Sequence, residues 1–191
     1  MGDPRKQRRQ YQRPNRPWQK ERLEEEAQYI KEYGLKNKKE IWKARSLLKH
    51  FGDIAKKLVR LSGEQAEKEE LELIKRLRQM GLLDENSSMS DVLTLGVKDL
   101  FERRLQTLVY RKNLARSMKQ ARQFITHGHI SIGNTKVTVP SYSVKVDEEN
   151  DITFVYNSAL SDKEHPERFI PQETAAEETK AEKEEVVENG S

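Results

Sequence analysis

Apolar residues recur at helical spacing through the first half of the chain. This periodicity predicts helices over residues 20–33, 37–51, 54–61 and 64–80 and a short helical turn over 90–95. Gly34, Gly52 and Gly81 follow these runs, and glycine commonly ends a helix. Two pairs fit the capping-box pattern of a helix start: Asn37 with Glu40 and Ser62 with Gln65. Residues 20–96 are therefore expected to form an all-helical region.

The pattern changes after residue 96. Helices are predicted over 97–110 and 117–126, the second with a Ser117–Gln120 capping box, and period-two alternation predicts strands over 130–132, 136–139, 143–146 and 152–156. Turns are expected at 127–129 and at Gly133–Asn134. The predicted fold class is α+β, mainly α, with a small helix–helix–antiparallel β module. Its expected divisions are an extended arm at 1–19, a helical region at 20–96, the module at 97–160 and an acidic, disordered tail at 161–191.

Charge is distributed unevenly along the 191 residues. The formal net charge is +4, yet residues 1–22 and 98–126 each carry +6, whereas residues 171–191 carry −5 from seven glutamates and two lysines. Concentrated basic blocks favour a polyanionic partner, although a lysine-rich solvated surface has the same composition. The tail is expected to compete with phosphate for these blocks.

Several classes of protein are disfavoured by composition. Cysteine is absent, which excludes disulfides and cysteine-based zinc sites. The chain holds no apolar run of about 18 residues, so no membrane span is expected. Its Arg-rich start is unlike a secretory signal, and an intracellular protein is expected.

The N-terminal arm combines arginine, proline and aromatic residues with little apolar periodicity. Such a segment is expected to be free in solution and to become ordered on a partner. Aromatic rings and arginines together can stack on bases and pair with phosphates, although Trp18 could instead pack on the first helix. The expected RNA contacts of the arm are Arg5, Lys6, Arg8, Arg9, Arg13, Arg16 and Trp18.

The helix predicted over 117–126 carries the clearest chemical signal. Its apolar stripe comprises Leu114, Met118, Ala121 and Ile125. The opposite face carries only cationic, amide or imidazole groups: Arg116, Lys119, Gln120, Gln123 and His127, with Arg122 at the margin. A face without carboxylates suits phosphate binding, and the amides after Ser117 could add to it. A merely solvated basic face remains the alternative. Arg104 falls in the apolar arc of the preceding helix, where it either snorkels or faces a partner.

These segments also resemble a known family. The module resembles the RNA-binding domain named after small-subunit ribosomal protein S-four, through Arg103-Arg104-Leu105-Gln106-Thr107, Gln120-Ala121-Arg122-Gln123-Phe124-Ile125, His127-Gly128-His129-Ile130 and Val139-Pro140-Ser141-Tyr142. The first half resembles the archaeal type of that family through Arg16-Pro17-Trp18, the run from Glu32 to Trp42 and Gly81-Leu82-Leu83-Asp84. The resemblance covers about residues 1–170.

The resemblance implies a structural 16S rRNA-binding protein of the cytoplasmic 30S subunit, without catalysis, cofactor, metal or small-molecule substrate. It implies nucleation of 30S assembly, contact with ribosomal protein S-five and other 30S proteins, an effect on accuracy with S-twelve, and proximity to the mRNA entry channel. The expected RNA contacts beyond the arm are Lys43, Arg45, Arg103, Arg104, Lys112, Arg116, Ser117, Lys119, Gln120, Arg122, Gln123, His127, His129, Lys136 and Tyr142.

The motifs of common enzymes are missing from the sequence, including a Gly-rich phosphate loop and a His-Glu-x-x-His zinc site. His127 and His129 have no third metal ligand near them in sequence and fit RNA contacts or turn residues better. The main alternative is an RNA-modifying or tRNA-handling enzyme that carries the same module, but the helical region is too short for its catalytic domain. A ribosome-rescue or assembly factor built on the module is a third possibility.

Overall fold

The computed structural model describes residues 9–61, 63–84, 86–162 and 165–168. The helices in these ranges are α1 Lys20–Glu32, α2 Lys38–Leu58, α3 Glu64–Gln79, α4 Met89–Val92, α5 Val97–Glu102, α6 Leu105–Arg111 and α7 Met118–Thr126. The strands are β1 Ile130–Ile132, β2 Thr135–Lys136 and β3 Ile152–Phe154, and 3₁₀ turns span Ala159–Ser161 and Pro166–Arg168. The predicted α+β, mainly α, fold is confirmed. Of the tail predicted to be disordered at 161–191, residues 161–162 and 165–168 are described, and Pro166–Arg168 forms a 3₁₀ turn that contacts the module, so the prediction is wrong for these residues. The tail from residue 169 onwards lies outside the described residues. None of the described helices is long and apolar enough to cross a membrane.

Helix α2 is longer than the sequence pattern predicts. It continues through Gly52 for 21 residues, so the predicted break at that glycine is wrong. A glycine inside a helix costs about 1 kcal/mol relative to alanine. Here the flanking Phe51 and Ala55 are 2% and 0% exposed in the core of the helical region, and burial of this kind outweighs a cost of that size.

The predicted capping box at the start of α2 is also wrong. Asn37 occupies the N-cap position but makes no side-chain capping bond. Glu40 turns instead towards two arginines of the module. Near residue 90 the capping box is formed by Ser88 and Asp91, so α4 begins slightly earlier than expected. Ser62, predicted to cap α3, lies outside the described residues.

The predicted helix over 97–110 is interrupted at Arg103–Arg104 and forms α5 and α6. Arg104 has an extended backbone, with φ −75° and ψ 141°, and makes an isolated antiparallel bridge to Ser143. The amide of Leu105 donates to the Tyr142 carbonyl at 2.8 Å. The chain breaks its helix here because these backbone groups pair with the segment around residue 143.

The small sheet has the order β2-β1-β3, and both pairings are antiparallel. Strand β2 is shorter than predicted and ends at Lys136. The strand predicted over 143–146 is wrong apart from the single bridge at Ser143. The amide of Val144 donates to the Arg103 carbonyl and that of Val146 to the Gln79 carbonyl, each at 3.0 Å, so this segment connects the module with the helical region.

The two parts of the chain have separate apolar cores. One is built around Phe51, Leu58, Leu77 and Val92, and the other around Leu105, Val109, Ile125, Ile130 and Val144. A third cluster joins them and consists of Tyr33, Leu35, Ile41 and Phe101, with Met118 of α7 packed against it. Helix α5 packs with the helical region, so the change in packing falls at Arg103–Arg104 rather than at residue 97.

A buried amide at this junction holds three segments together. Gln106 is 1% exposed, and its Nε2 donates to the carbonyls of Gly34 at 3.2 Å and Met118 at 2.8 Å. Gly34 has φ +57°, and a β-carbon there would lie 2.9 Å from Cβ of Met118. Only glycine fits this approach of the α1–α2 turn to α7.

A carboxylate completes the junction. Glu40 accepts from Arg104 at 2.6 Å and from Arg122 at 3.0 Å, and its side chain is 15% exposed. Burial alone would raise the pKa of the Glu40 carboxyl, but the hydrogen bonds and charges of Arg122 and Arg104 outweigh it and hold the pKa below its ordinary value. The ion pair therefore stabilises the folded chain most when Glu40 is ionised.

The E40Q variant is expected to lose about 2–3 kcal/mol of unfolding free energy near pH 7, because two guanidinium groups would remain in a mostly buried site without their counter-charge. Since the folded pKa is lowered, this contribution is complete above about pH 4.5 and disappears as the pH falls through the folded value. Urea unfolding of both proteins from pH 7 to pH 3 should show the difference shrinking in acid. The matched control E24Q alters an exposed pair and should change stability by less than about 0.5 kcal/mol. An E40Q deficit that is equal at all pH values would contradict the assignment.

Candidate nucleic-acid interface

Helix α7 presents a basic face to solvent. Ser117 caps the helix, because its Oγ accepts from the backbone amide of Gln120 at 3.2 Å. The side-chain oxygen of Gln120 in turn accepts from the backbone amide of Arg116 at 2.7 Å. The predicted stripe is buried at Ala121 and Ile125, both 0% exposed, and the stripe also includes Phe124, which the sequence pattern did not assign. Of the positions predicted for the opposite face, Gln120 is half-buried, whereas the exposed ones are Arg116, Lys119, Gln123 and His127, together with Ser117.

The turn after α7 extends this face towards β2. His127 is exposed and stacks on His129, with ring centroids 6.4 Å apart and planes inclined by 21°. His129 is half-buried, and its Nδ1 lies 2.8 Å from Oγ of Ser158. Burial, followed by the nearby His127 and Lys136, lowers the pKa of His129, which keeps this ring neutral at pH 7. Lys136 is exposed and lies over Gly128 at the centre of the turn.

Several of the expected RNA contacts point into the protein instead. Arg103 donates to the Met80 carbonyl at 3.0 Å, the Glu149 carboxylate at 2.7 Å and the Val144 carbonyl at 3.2 Å. Lys112 donates to the Glu149 carbonyl. These cations pair with partly buried acceptors of the chain itself, whereas the sequence analysis expected them to face RNA.

Arg104 and Arg122 are likewise paired within the protein, because both guanidinium groups donate to Glu40 at the junction. The Arg104 side chain is 9% exposed and that of Arg122 is 23% exposed. Arg104 neither snorkels nor faces a partner, because its guanidinium pairs with Glu40 inside the junction. Tyr142 is half-buried, and the hydrogen bond from its hydroxyl to Glu148 at 2.8 Å raises its pKa, as burial does to a smaller extent.

A groove of about 600 Å³ runs between α2 and the module. Its α2 side carries Lys36, Lys39 and Lys43, and its module side carries Arg122, Ser141 and Ser143. All three lysines belong to the exposed or partly exposed surface of the first half. Lys36 and Lys39 were not among the predicted contacts, although both stand in the run from Glu32 to Trp42 that carries the family resemblance.

Residues 9–19 of the arm lie on the helical region. The backbone amide of Gln12 donates to Oγ of Ser46 at 2.9 Å, and Lys49 donates to the side-chain oxygen of Gln12 at 3.1 Å. The Tyr11 ring packs on the Trp42 ring, with ring centroids 5.9 Å apart. The expectation of a free arm is therefore wrong for this part, because α2 supplies partners within the same chain. Arg5, Lys6 and Arg8 lie outside the described residues.

The arm ends in an aromatic recess of about 630 Å³. Arg13, Pro17, Trp18, Lys39 and Trp42 are among the residues that line it. Trp18 is 87% exposed, so it does not pack on the first helix.

The floor of this recess is a buried ion cluster. Glu26 is 0% exposed and contacts Arg22, Lys38 and Arg45, and the Trp42 ring nitrogen donates to it at 3.1 Å. Arg45 also pairs with Glu25 at 3.3 Å, so its guanidinium is directed at acidic groups of α1.

The sequence of this chain is similar to those of known proteins. Residues 103–150 match the family model described as the S4 domain. The small ribosomal subunit protein uS4 of Ignicoccus hospitalis is 52% identical over 158 residues, which cover 83% of this chain and 95% of that protein. This chain belongs to the uS4 family. The uS4 protein of Picrophilus torridus is 45% identical over 93% of this chain and 99% of its own length. The uS4 protein of Methanococcus aeolicus is 47% identical over 88% of this chain and 96% of its own length.

The family assignment confirms the resemblance read from the sequence. The uS4 match spans both halves of the chain, whereas the S4 domain begins at Arg103, where the packing changes from one apolar core to the other. The basic face of α7 lies wholly within the S4 domain.

The double variant R116Q/K119Q is expected to fold normally, because glutamine is a good helix former and neither side chain lies in the core. Its affinity for RNA should fall, and the slope of log affinity against log salt should become shallower by about 1.4–1.8 if both residues contact phosphate. Binding to an rRNA fragment would be measured across a salt series alongside the melting temperature.

The matched control is K68Q/K75Q, which removes two exposed lysines from the acidic helix α3. R122Q serves as a contrast, since it should lower the melting temperature by breaking the pair with Glu40. An unchanged salt slope in R116Q/K119Q would show that this face of α7 is only solvated.

Proposed function

We propose that the chain is a structural, non-catalytic component of the small ribosomal subunit that binds 16S rRNA. The observation that supports this most directly is the exposed face of α7, which combines Arg116, Lys119, Gln123 and His127 with no acidic residue on the helix. A solvated helix usually mixes both signs of charge to gain pairs at i,i+4. No such pair is available within the exposed face of α7, so phosphates would supply its counter-charge.

RNA binding through this face would depend on shape and backbone more than on base sequence. Arg116 and Lys119 supply charge, and the amides in the first turn of α7 that the cap leaves free add hydrogen-bond donors. Lys136 and His127 extend the contact along the turn towards β2. Paired regions of RNA expose phosphates and 2′-hydroxyls rather than base edges, which suits donors of this kind.

Three lysines at the start of α2 and just before it provide a second contact surface. Lys36, Lys39 and Lys43 line one wall of the groove whose other wall belongs to the S4 domain. Glu40 and Gln106 fix the two walls relative to each other in the protein itself. An arrangement that is already rigid loses little entropy on binding. This supports a role early in 30S assembly, in which the protein holds two segments of 16S rRNA together.

Finer assignments are part of the same proposal. We propose contact with ribosomal protein S-five, an influence on translational accuracy together with S-twelve, and a position near the mRNA entry channel of cytoplasmic ribosomes. Crosslinking of the protein within purified small subunits would map its RNA and protein neighbours. Stoichiometric sedimentation with 30S particles in high salt would separate a structural component from an assembly or rescue factor, which should dissociate.

The W18A variant is expected to weaken binding to 16S rRNA without lowering the melting temperature. Trp18 is 87% exposed, so its removal leaves no cavity, whereas loss of a base stacked on its ring would cost about 1–3 kcal/mol of binding free energy. W18F is the matched control and should retain most of the affinity. If W18A and the parent chain bound 16S rRNA with equal affinity, the recess around Trp18 would not be part of the RNA-binding surface.

A further inference from the structure

The last described residues of the chain lie on the basic face of α7. The Arg116 guanidinium donates to the Pro166 carbonyl, and the Gln120 side chain donates to the Glu167 carboxylate at 2.8 Å. Glu167 thereby forms part of the same recess as Arg116, Ser117 and Lys119. A carboxylate thus occupies the position where a phosphate is expected.

This segment has an anchor of its own. Arg168 donates to the carbonyls of Leu160 at 3.3 Å and Ser161 at 2.9 Å, and its guanidinium lies 4.8 Å from the centre of the Phe154 ring. These contacts attach the segment to β3 and the 3₁₀ turn that follows it. They hold Pro166 and Glu167 beside the start of α7.

The sequence beyond the anchor is strongly acidic. Residues 171–191 lie outside the described residues and carry seven glutamates against two lysines. The nearest of these glutamates is Glu173, five residues beyond Arg168, and five residues of chain span up to about 17 Å. That reach is enough to place further carboxylates along a nine-residue helix about 14 Å long.

We propose that the segment from Pro166 to Glu188 is an intramolecular competitor that covers the α7 face and that RNA must displace. This inference rests on the proposed RNA-binding function of that face. Glu167 is its fixed end, and the following glutamates add charge without a defined structure being required. The expected consequence is selectivity: weakly bound, unrelated RNA is excluded, whereas an rRNA site with more phosphate contacts displaces the segment.

Two charge-neutralising variants test the proposal in the full-length chain. E167Q keeps a hydrogen-bond acceptor and removes the charge, and E173Q/E177Q/E178Q/E182Q/E184Q removes five charges from the tail. Binding of a single-stranded poly(U) 20-mer would be measured in about 0.01 M and about 0.15 M salt, where the screening lengths are about 30 Å and 8 Å. E167Q should tighten binding by about two- to fivefold at low salt, the range expected for one exposed charge contact. The five-site variant should tighten it by about tenfold, and both gains should shrink at high salt.

The matched control removes five glutamates from the surface of α3, as E64Q/E67Q/E69Q/E70Q/E72Q. It changes the net charge equally but leaves the α7 face alone, so it should tighten binding much less than the tail variant. If the two five-site variants bound poly(U) with equally increased affinity, the cause would be net charge in general and not competition at the α7 face. That result would overturn the proposal. Unchanged binding by the tail variant at low salt would overturn it as well.

A second measurement is independent of affinity. Carbodiimide coupling joins neighbouring carboxylates and amines, so it should link Lys119 to a glutamate between residues 167 and 188, and an excess of rRNA fragment should suppress the product. Absence of any such link would count against the proposal. If instead R116Q/K119Q failed to weaken RNA binding even in the tail variant, the proposed function of α7 itself would fail. The two failures are therefore distinguishable.

Discussion

The relative position of the proposed RNA contacts on the helical region and on the S4 domain depends on the polar junction between these two parts. Glu40 pairs there with Arg104 and Arg122, and the Gln106 amide donates to the turn after α1 and to α7. A buried polar group must find partners of the right geometry, which an apolar contact does not require. The junction therefore fixes one orientation of the two parts, and the lysines of α2 and the donors of α7 are held at fixed positions.

The basic residues of this chain perform two different tasks. Arg103, Arg104, Arg122 and Lys112 satisfy carboxylates and carbonyls inside the fold, whereas Arg116 and Lys119 of the same block are exposed. Sequence reasoning assigned all six to RNA because their partners are distant in sequence. One signal was available, since Arg104 lies within an apolar arc and such a position is typical of a buried, paired arginine.

Elements with strong local patterns were predictable from the sequence. Helices α1 and α3 and the face of α7 follow from periodicity, and Gly34 marks the end of α1 as expected. The failures occur where distant contacts override local preference: α2 continues through Gly52 because its neighbours are buried, and the helix over 97–110 breaks because Leu105 pairs with Tyr142. The exposed face of α7 was predictable because one helix carries the signal, whereas the groove was predictable only in part because two distant segments build it.

The separation of the cores has a consequence for how the molecule folds and opens. Each apolar core is assembled mainly from its own part of the chain. The ion pairs of Glu40 instead span the two parts: Arg104 is 64 positions from Glu40 in the sequence, and Arg122 is 82 positions from it. Long loops close late, after local structure has formed, and a polar contact between two finished cores gives little hydrophobic gain. Only the small apolar cluster around Tyr33 and Phe101 adds to this contact, so we expect the junction to form after the two cores and to separate before them. A molecule opened at the junction would keep both cores intact, but the groove lysines near α2 and the donors of α7 would lose their fixed relative orientation. Such a molecule would bind RNA more weakly while remaining folded by most spectroscopic criteria.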